Sequence, residues 1–443
     1  MEASGKAGNW RGAVASTIGN VLEWYDFVLF GFLTLVISKQ FFPADNPYGA
    51  LLMTTATFGA GFVVRPIGGV LLGMYADRYG RKAGLTLVIM MMTLASAIVA
   101  FTPSFATIGI VAPLLVVLAR LLQGISAGGE FGTATAMLVE YAPKRRRSFY
   151  GSWQMFAQAF GALIAIAMGA ILTNLFSKES VESWAWRLPF AFGLLIGPVG
   201  IYIRNRMPET EAFSRLSKPA RAPLSKVLSR YPREVFISTS MSAALNVMSY
   251  VIFTFLPIFA VQTLGMPLKL PFTVLLMSVT LRIVTIPFFG WLGDRIGQKL
   301  VMGVSLFLFL LLLYPSYYWM IHAPSVTSIL TVESAFALLS SAATSSVPSA
   351  SAMLFPTSVR STGLAISYNI GASLFGGFSP FILTWLMHVT GDKFVPAHYA
   401  TVFFALGLIG VLMLRTDKDG QPIETVEEPG SAPDERAGLK EAL

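Results

Sequence analysis

Twelve apolar stretches separated by short polar or Pro/Gly-marked breaks run along the chain, at 14–38, 48–75, 83–103, 109–141, 148–173, 187–206, 234–262, 270–293, 300–320, 326–355, 361–388 and 397–414. A helix of about 20 residues crosses a hydrocarbon core of about 30 Å, and each stretch reaches about that length. None alternates polar with apolar residues as the strands of a membrane barrel do. The pattern predicts an all-α membrane protein with twelve transmembrane helices.

Composition agrees. Of 443 residues, 54% are hydrophobic and 12% charged, and mean hydropathy is +0.65, whereas a soluble domain is about a quarter charged. A soluble enzyme, a nucleic-acid binder and a disordered scaffold are therefore excluded as first readings. The net charge of +9 is a matter of topology. Counted over alternate loops, Lys and Arg divide 24 to 5, and such a bias places the richer loops, with both termini, in the cytoplasm. Anionic lipid headgroups are the expected neighbours of these residues. Trp184, Trp186, Tyr317, Tyr318 and Trp319 are expected in an outer aromatic belt. The polar N-terminus runs into the first span without a small-residue cleavage site, so it reads as a cytoplasmic lead-in.

Internal repetition organises the chain. Gly73-x-x-x-Asp77-Arg78-x-Gly80-Arg81-Lys82 after the second span returns as Gly290-x-x-x-Asp294-Arg295-x-Gly297-Gln298-Lys299 after the eighth, and Pro143, Arg147 and Ser148 are echoed by Pro356, Arg360 and Ser361. Two related six-helix bundles follow, at 1–207 and 233–415. A cytoplasmic linker at 208–232 joins them, and a Pro- and charge-rich tail at 416–443 is expected to be disordered. Duplication of this kind sets a binding site between the bundles near the midplane of the membrane.

These loop motifs resemble those of the major facilitator superfamily. More narrowly, Asn20-Val21-Leu22-Glu23-Trp24-Tyr25-Asp26-Phe27, Arg65-Pro66-x-Gly68 and Arg120-Leu121-Leu122-Gln123-Gly124-Ile125-Ser126-Ala127-Gly128-Gly129-Glu130 resemble its metabolite:proton symporter family. Phe41-Phe42-Pro43-Ala44, Ser148-Phe149-Tyr150-Gly151-Ser152-Trp153-Gln154, Trp184-Ala185-Trp186-Arg187-Leu188-Pro189-Phe190 and Thr390-Gly391-Asp392-Lys393 are similar to the citrate/tricarboxylate symporters within it. The resemblance implies the two-bundle fold, alternating access and proton-coupled uptake. It also implies a gating role for the loop charges Asp77, Arg78, Arg81, Glu140, Asp294 and Arg295, as a latch that holds the bundles together in one state. Surface salt bridging is the plainer alternative for such charges, worth about 0–1 kcal/mol each.

Charges inside spans carry more information, since one facing lipid costs about 3 kcal/mol or more. Glu23 and Asp26 stand three residues apart on one face of the first span. Depth at 1.5 Å per residue sets Asp26 level with Arg120, whose own face carries Gln123. Burial favours a protonated carboxyl and a nearby arginine favours its anion, so a substrate anion arriving at the arginine would let the acid take a proton. Asp26, Glu23 and Glu130 are the proton-coupling candidates, against fixed ion pairs that set helix packing. Arg65 and Arg282 each precede a motif aspartate by 12 residues and are counterparts under the repeat. Two guanidinium forks suit a di- or tricarboxylate, although a structural role for Arg65 and an ion pair for Arg282 are the plainer alternatives. Arg120 and Gln123 are substrate-binding candidates as well, and so are Gln154, Gln158, Asn246, Tyr250, Tyr368 and Asn369, these six equally suited to interhelical hydrogen bonding.

Cysteine is absent, the three histidines have no ligand spacing, and phosphate loops and nucleophile–base–acid constellations are lacking. No metal, cofactor or enzyme activity is expected. The sequence thus reads as a monomeric proton symporter of the bacterial cytoplasmic membrane that imports a citrate-like di- or tricarboxylate. Symport of 2-oxoglutarate, shikimate or a betaine is the alternative. A drug/proton antiporter fits less well, because a promiscuous apolar cavity needs no midplane arginines. A transport-dead sensor would need a folded output module that neither the linker nor the tail can supply.

Overall fold

A computed structural model describes residues 2–42, 47–216, 222–267 and 269–425. It is almost wholly helical. The long helices are α1 (Glu2–Phe32), α2 (Pro47–Tyr79), α3 (Arg81–Phe101), α4 (Val111–Tyr141), α5 (Arg147–Leu175), α6 (Ile196–Arg206), α7 (Pro232–Met248), α8 (Lys269–Ile296), α9 (Gln298–His322), α10 (Val326–Ser345), α11 (Arg360–Ile370) and α12 (Val395–Met413). Among the described residues ten helical segments are long and apolar enough to cross a membrane. An eleventh counts if Lys178–Ala185 and Arg187–Ile203, bent by 47°, form one span. α1 is a further long helix, its hydropathy lowered by Asn20, Glu23 and Asp26.

Three π-helical turns interrupt the helices among the described residues, one of them Val181–Ala185 in the bent pair. Between α7 and Leu256–Gln262 lies a wide π-helical turn, Ser249–Phe255, and α11 continues into another, Gly371–Gly377. Such turns break the regular i→i−4 ladder and recur at functional sites.

The first six helices meet the last six through two reciprocal pairings: α11 packs on α2 and α4, and α5 packs on α8. The motif glycines make this possible. A Cβ on Gly73 would lie 3.0 Å from the Thr362 backbone, and one on Gly290 2.6 Å from Ser152 Cβ, so any side chain would push the partner helix away. Gly80 and Gly297 close the following turns at φ 107° and 100°, a region that side chains with a Cβ avoid.

Two expectations are corrected here. The tail is ordered up to Thr425, because Thr416 and Pro422 pair, the Thr425 N–H bonds Met353 O (2.9 Å), and the Gln421 amide reaches Gly293 O (3.0 Å). Residues 426–443 of the expected tail and 217–221 of the linker lie outside the described residues. Trp186 and Tyr317 are buried rather than in a belt: Trp186 packs edge-on to Phe41 and Phe190, and Tyr317 to Phe259. Trp184, Tyr318 and Trp319 are exposed.

Candidate functional site

The basic loops gather at one end of the bundle, and there the two sets of helices are bolted together. Asp77, at the end of α2, accepts the N–H groups of Ser361 (3.0 Å) and Thr362 (2.8 Å) in the first turn of α11. Asp294, at the end of α8, accepts those of Ser148 (2.8 Å) and Phe149 (2.9 Å) in the first turn of α5. A carboxylate at a helix N-terminus satisfies N–H groups that have no partner within the helix and meets the positive end of its dipole.

The first-repeat motif builds a larger network. Arg81 pairs with Asp77 (2.7 Å) and Glu140 (3.2 Å), and all three side chains are fully buried. Arg81 also donates to Thr357 O across the interface. Glu140 takes Arg360 (3.0 Å) from the other set of helices and accepts the Thr210 hydroxyl (2.6 Å). Beyond the spans, Glu209 accepts the Lys82 and Thr210 N–H groups. Burial pushes its carboxyl above the usual range despite them. Glu424 bridges Arg360 and Arg147, each at 2.8 Å. Burial opposes its charge, yet the two arginines hold its carboxyl below the usual range. Arg78 and Arg295 take no part among the described contacts: both are exposed, lying over Tyr79 (5.5 Å) and Trp291 (4.3 Å). Arg360, Arg147, Glu209, Thr210 and Glu424 were not picked out in the sequence as gate residues. The echo of Arg147 in Arg360 was the available signal.

Deeper in the bundle, α1, α2, α4 and α5 bring the buried charges together. Arg120 donates to Gln123 Oε1, and the Gln123 amide donates to Asp26 Oδ2, so acid and arginine are joined through a glutamine one turn along α4. Gln154 donates to Glu130 (3.2 Å), and Asn20 donates to the Gln154 carbonyl (3.2 Å). Glu23 and Glu130 both face Arg65. The Arg65 guanidinium lies among three rings, 4.9 Å from the centre of Phe27, 5.2 Å from Phe62 and 5.7 Å from Trp24. Phe27 also lies 5.1 Å from Arg120, so one ring separates two cations. Contacts of this kind are worth about 0.5–2 kcal/mol each. Trp24, Phe27 and Phe62 escaped the sequence reading, although Trp24 and Phe27 share a helix face and Phe62 precedes Arg65 by one turn.

The last six helices contribute unevenly. Tyr250 meets Phe62 edge-on at 6.3 Å, which brings it to the ring cluster around Arg65. Tyr368 stacks on Phe131 at 3.6 Å, close to Gln158. Asn246 donates to Ser242 O in its own helix (2.8 Å). The Asn369 amide donates to Gly128 O and Ala365 O, both at 2.7 Å, and so ties α11 to α4. Arg282 lies 4.3 Å over Phe253 and faces Glu333 on α10, an acid that the sequence reading passed over. Among the described residues neither Arg65 nor Arg282 is in contact with an acid, and the Nε of each has no hydrogen-bond partner.

The comparisons with known proteins find transporters. A family model described as "Sugar (and other) transporter" matches residues 12–230. A citrate-proton symporter of Klebsiella pneumoniae is 34% identical over 401 residues, 90% of each chain. One of Salmonella typhi is 33% identical over 414 residues, 93% of this chain and 95% of its own. A putative proline/betaine transporter of Staphylococcus aureus is 30% identical over 421 residues, 93% of this chain and 89% of its own. Among solved structures, a double-tryptophan mutant of XylE superimposes with a TM-score of 0.74 at 16% identity, covering 95% of this chain and 97% of that one. FucP in its outward conformation gives 0.64 at 17% identity, covering 90% and 97%.

Proposed function

The chain belongs to the major facilitator superfamily and is a proton-coupled symporter, and we propose that it imports a di- or tricarboxylate of the citrate type by alternating access of its two six-helix sets. The observation that carries this reading is the pair of buried arginines, Arg65 and Arg282, neither of which is in contact with an acid among the described residues. A guanidinium held in a low-dielectric setting without a contact anion is a ready receptor for a carboxylate, which it binds through two parallel N–H donors. Relatives named as citrate-proton symporters support the same ligand class.

Coupling follows from Asp26, Gln123 and Arg120. While Asp26 is an anion it holds the Gln123 amide, and Gln123 holds Arg120. A proton on Asp26 removes the negative charge that Arg120 faces and weakens the bond from the Gln123 amide, so that a substrate anion can balance Arg120. Proton and anion then favour one another. Glu23 and Glu130 stand in a similar relation to Arg65. No cofactor enters this chemistry. The basic end faces the cytoplasm of a bacterial inner membrane on this reading, with both termini inside, and the Asp77 and Asp294 caps close the inward route. On this reading the protein acts as a monomer.

Betaine transport is the second reading, because a cage of Trp24, Phe27 and Phe62 is also the chemistry that receives a quaternary ammonium. Here Arg65 already occupies that cage. Uptake of labelled citrate into proteoliposomes, acid outside, with unlabelled acids and betaine as competitors, tests the proposal. Citrate accumulation that collapses with the pH gradient and yields to other polycarboxylates is expected. Accumulation of betaine with no citrate uptake would overturn it.

A further inference from the structure

The sequence repeat relates positions in the two sets of helices. Arg147 and Arg360 are counterparts, and 27 residues before each lie Arg120 and Glu333. The second set therefore carries an acid where the first carries an arginine. Arg282 is likewise the counterpart of Arg65, so Arg282 and Glu333 together form a charged pair of the second set in positions that the first set fills with two cations.

Its geometry differs from that of a permanent ion pair. Glu333 is 2% and Arg282 9% exposed, and they face one another. Yet among the described residues no ion pair joins them, and both Glu333 Oε2 and Arg282 Nε lack a hydrogen-bond partner. By contrast, the gate residues Arg81, Glu140 and Arg360 close to 3.2 Å and 3.0 Å. A buried charge gains little from a counter-ion held off at a distance, and a carboxyl in that position has an alternative, to bind a proton. Besides Arg282, a hydrogen bond from Ser278 is the group that favours its anion. Arg282 and Ser278 face it from α8 and Tyr317 from α9, while α5, α7 and the π turn after α7 present no charged group to it among the described residues.

We propose that Glu333 carries a second transported proton, with Arg282 as the cation that substrate takes over once Glu333 is neutral. The inference rests on the carboxylate reading above. It gives the second set of helices an acid that exchanges a proton against a carboxylate arriving at its arginine, Glu333 with Arg282, as Asp26 does with Arg120 in the first.

The test is a count of protons per citrate in proteoliposomes, from the steady accumulation of labelled citrate at several imposed pH gradients with the membrane potential clamped at zero. It is run on wild type, Glu333→Gln and Glu333→Asp, with citrate counterflow, which needs no net proton movement, measured alongside. Glu333→Gln should keep counterflow but move one proton fewer per citrate, so that accumulation falls about tenfold for each pH unit of gradient. Glu333→Asp, which still titrates, should keep the wild-type count. An unchanged count in Glu333→Gln would overturn the proposal. Loss of counterflow in Glu333→Gln that the charge-swapped Arg282→Glu/Glu333→Arg protein restores would also overturn it, by making the pair a structural brace. A wild type that moves citrate without protons, or no citrate at all, sinks the carboxylate reading instead and is seen in the wild-type arm alone.

Discussion

Asp77 and Thr362, 285 positions apart in sequence, meet at 2.8 Å where the carboxylate of one helix end caps the first turn of another. Asp294 caps α5 in the mirror arrangement, so each motif aspartate holds the helix of the opposite set. The two caps are not equal in strength. Asp77 sits beside Arg81, whereas the residue corresponding to Arg81 beside Asp294 is Gln298.

That inequality predicts the order of two mutants. Asp77→Asn breaks a buried charge pair and weakens two charge-assisted hydrogen bonds, a loss of about 3 kcal/mol or more, or a shift of at least about a hundredfold toward the state open at the basic end. Asp294→Asn weakens two hydrogen bonds and loses only the more distant attraction of Arg146, and should shift it less. Because the chain has no native cysteine, maleimide labelling of a single cysteine replacing the fully buried Ser361 reads the opening directly. Equal labelling in both mutants would show that Arg81 adds nothing to the latch.

Glu424 predicts a pH dependence of known sign. Its carboxyl is held below the ordinary value by Arg360 and Arg147 while the gate is closed. Its contribution to closure is therefore complete above the free-carboxylate value, about pH 4.3, and fades as pH falls through the lower closed-state value. Spin labels at Lys144 and Lys418 should keep one separation from pH 7 down to about 5 and move apart only in stronger acid. Glu424→Gln should loosen the tail already at pH 7, by about 1–2 kcal/mol given its partial exposure, and should remove the acid transition. A tail whose separation ignores both pH and this substitution would show that the bridge carries no closure.

The parts of this architecture that could be read in the sequence are those written into local spacing. Span lengths, the duplicated Gly-x-x-x-Asp-Arg-x-Gly loop and the level depths of Asp26 and Arg120 are all local facts, and each leads to an element that the structure displays. Glu424 was missed because its partners lie 277 and 64 positions away and its segment has the composition of a disordered tail. Order there comes from docking, since Gln421 and Glu424 find the carbonyls and arginines that the end of the bundle leaves unmet. Glu333 was missed because α10 has no motif around it, and only the distance to Arg360 marks it. Asn369 stayed open in the sequence because an amide suited to a carboxylate is equally suited to the Gly128 carbonyl, and the close approach of α4 and α11 supplies the second partner.

Gln123 separates coupling from substrate binding. Replacing it by Leu removes the bridge between Asp26 and Arg120 and leaves Asp26 Oδ2 without its amide donor, a cost of about 1–3 kcal/mol. Citrate counterflow should persist in Gln123→Leu, with its pH optimum displaced, because Asp26 then titrates without the amide. Asp26→Asn, by contrast, should keep counterflow and lose gradient-driven accumulation entirely. If Asp26→Asn still accumulates citrate as wild type does, Asp26 is a packing residue and the coupling lies elsewhere.

Arg65 tests whether shape as well as charge selects the ligand. Its guanidinium lies over Phe27, Phe62 and Trp24 at 4.9, 5.2 and 5.7 Å, a seat that fits a flat, weakly hydrated cation. Lysine at this position keeps the charge and thus the balance with Glu23 and Glu130. It loses the planar fork and most of the ring contacts, because an ammonium is compact and strongly hydrated. Arg65→Lys should therefore raise the KM for citrate about 10- to 100-fold, the worth of one bidentate charge-assisted contact, while thermal stability in detergent changes little. Arg65→Ala should lose stability as well, since Glu23 and Glu130 would then be buried without their cation. A lysine variant with wild-type KM would reduce Arg65 to a counter-ion for the two acids and leave Arg282 as the arginine that binds substrate.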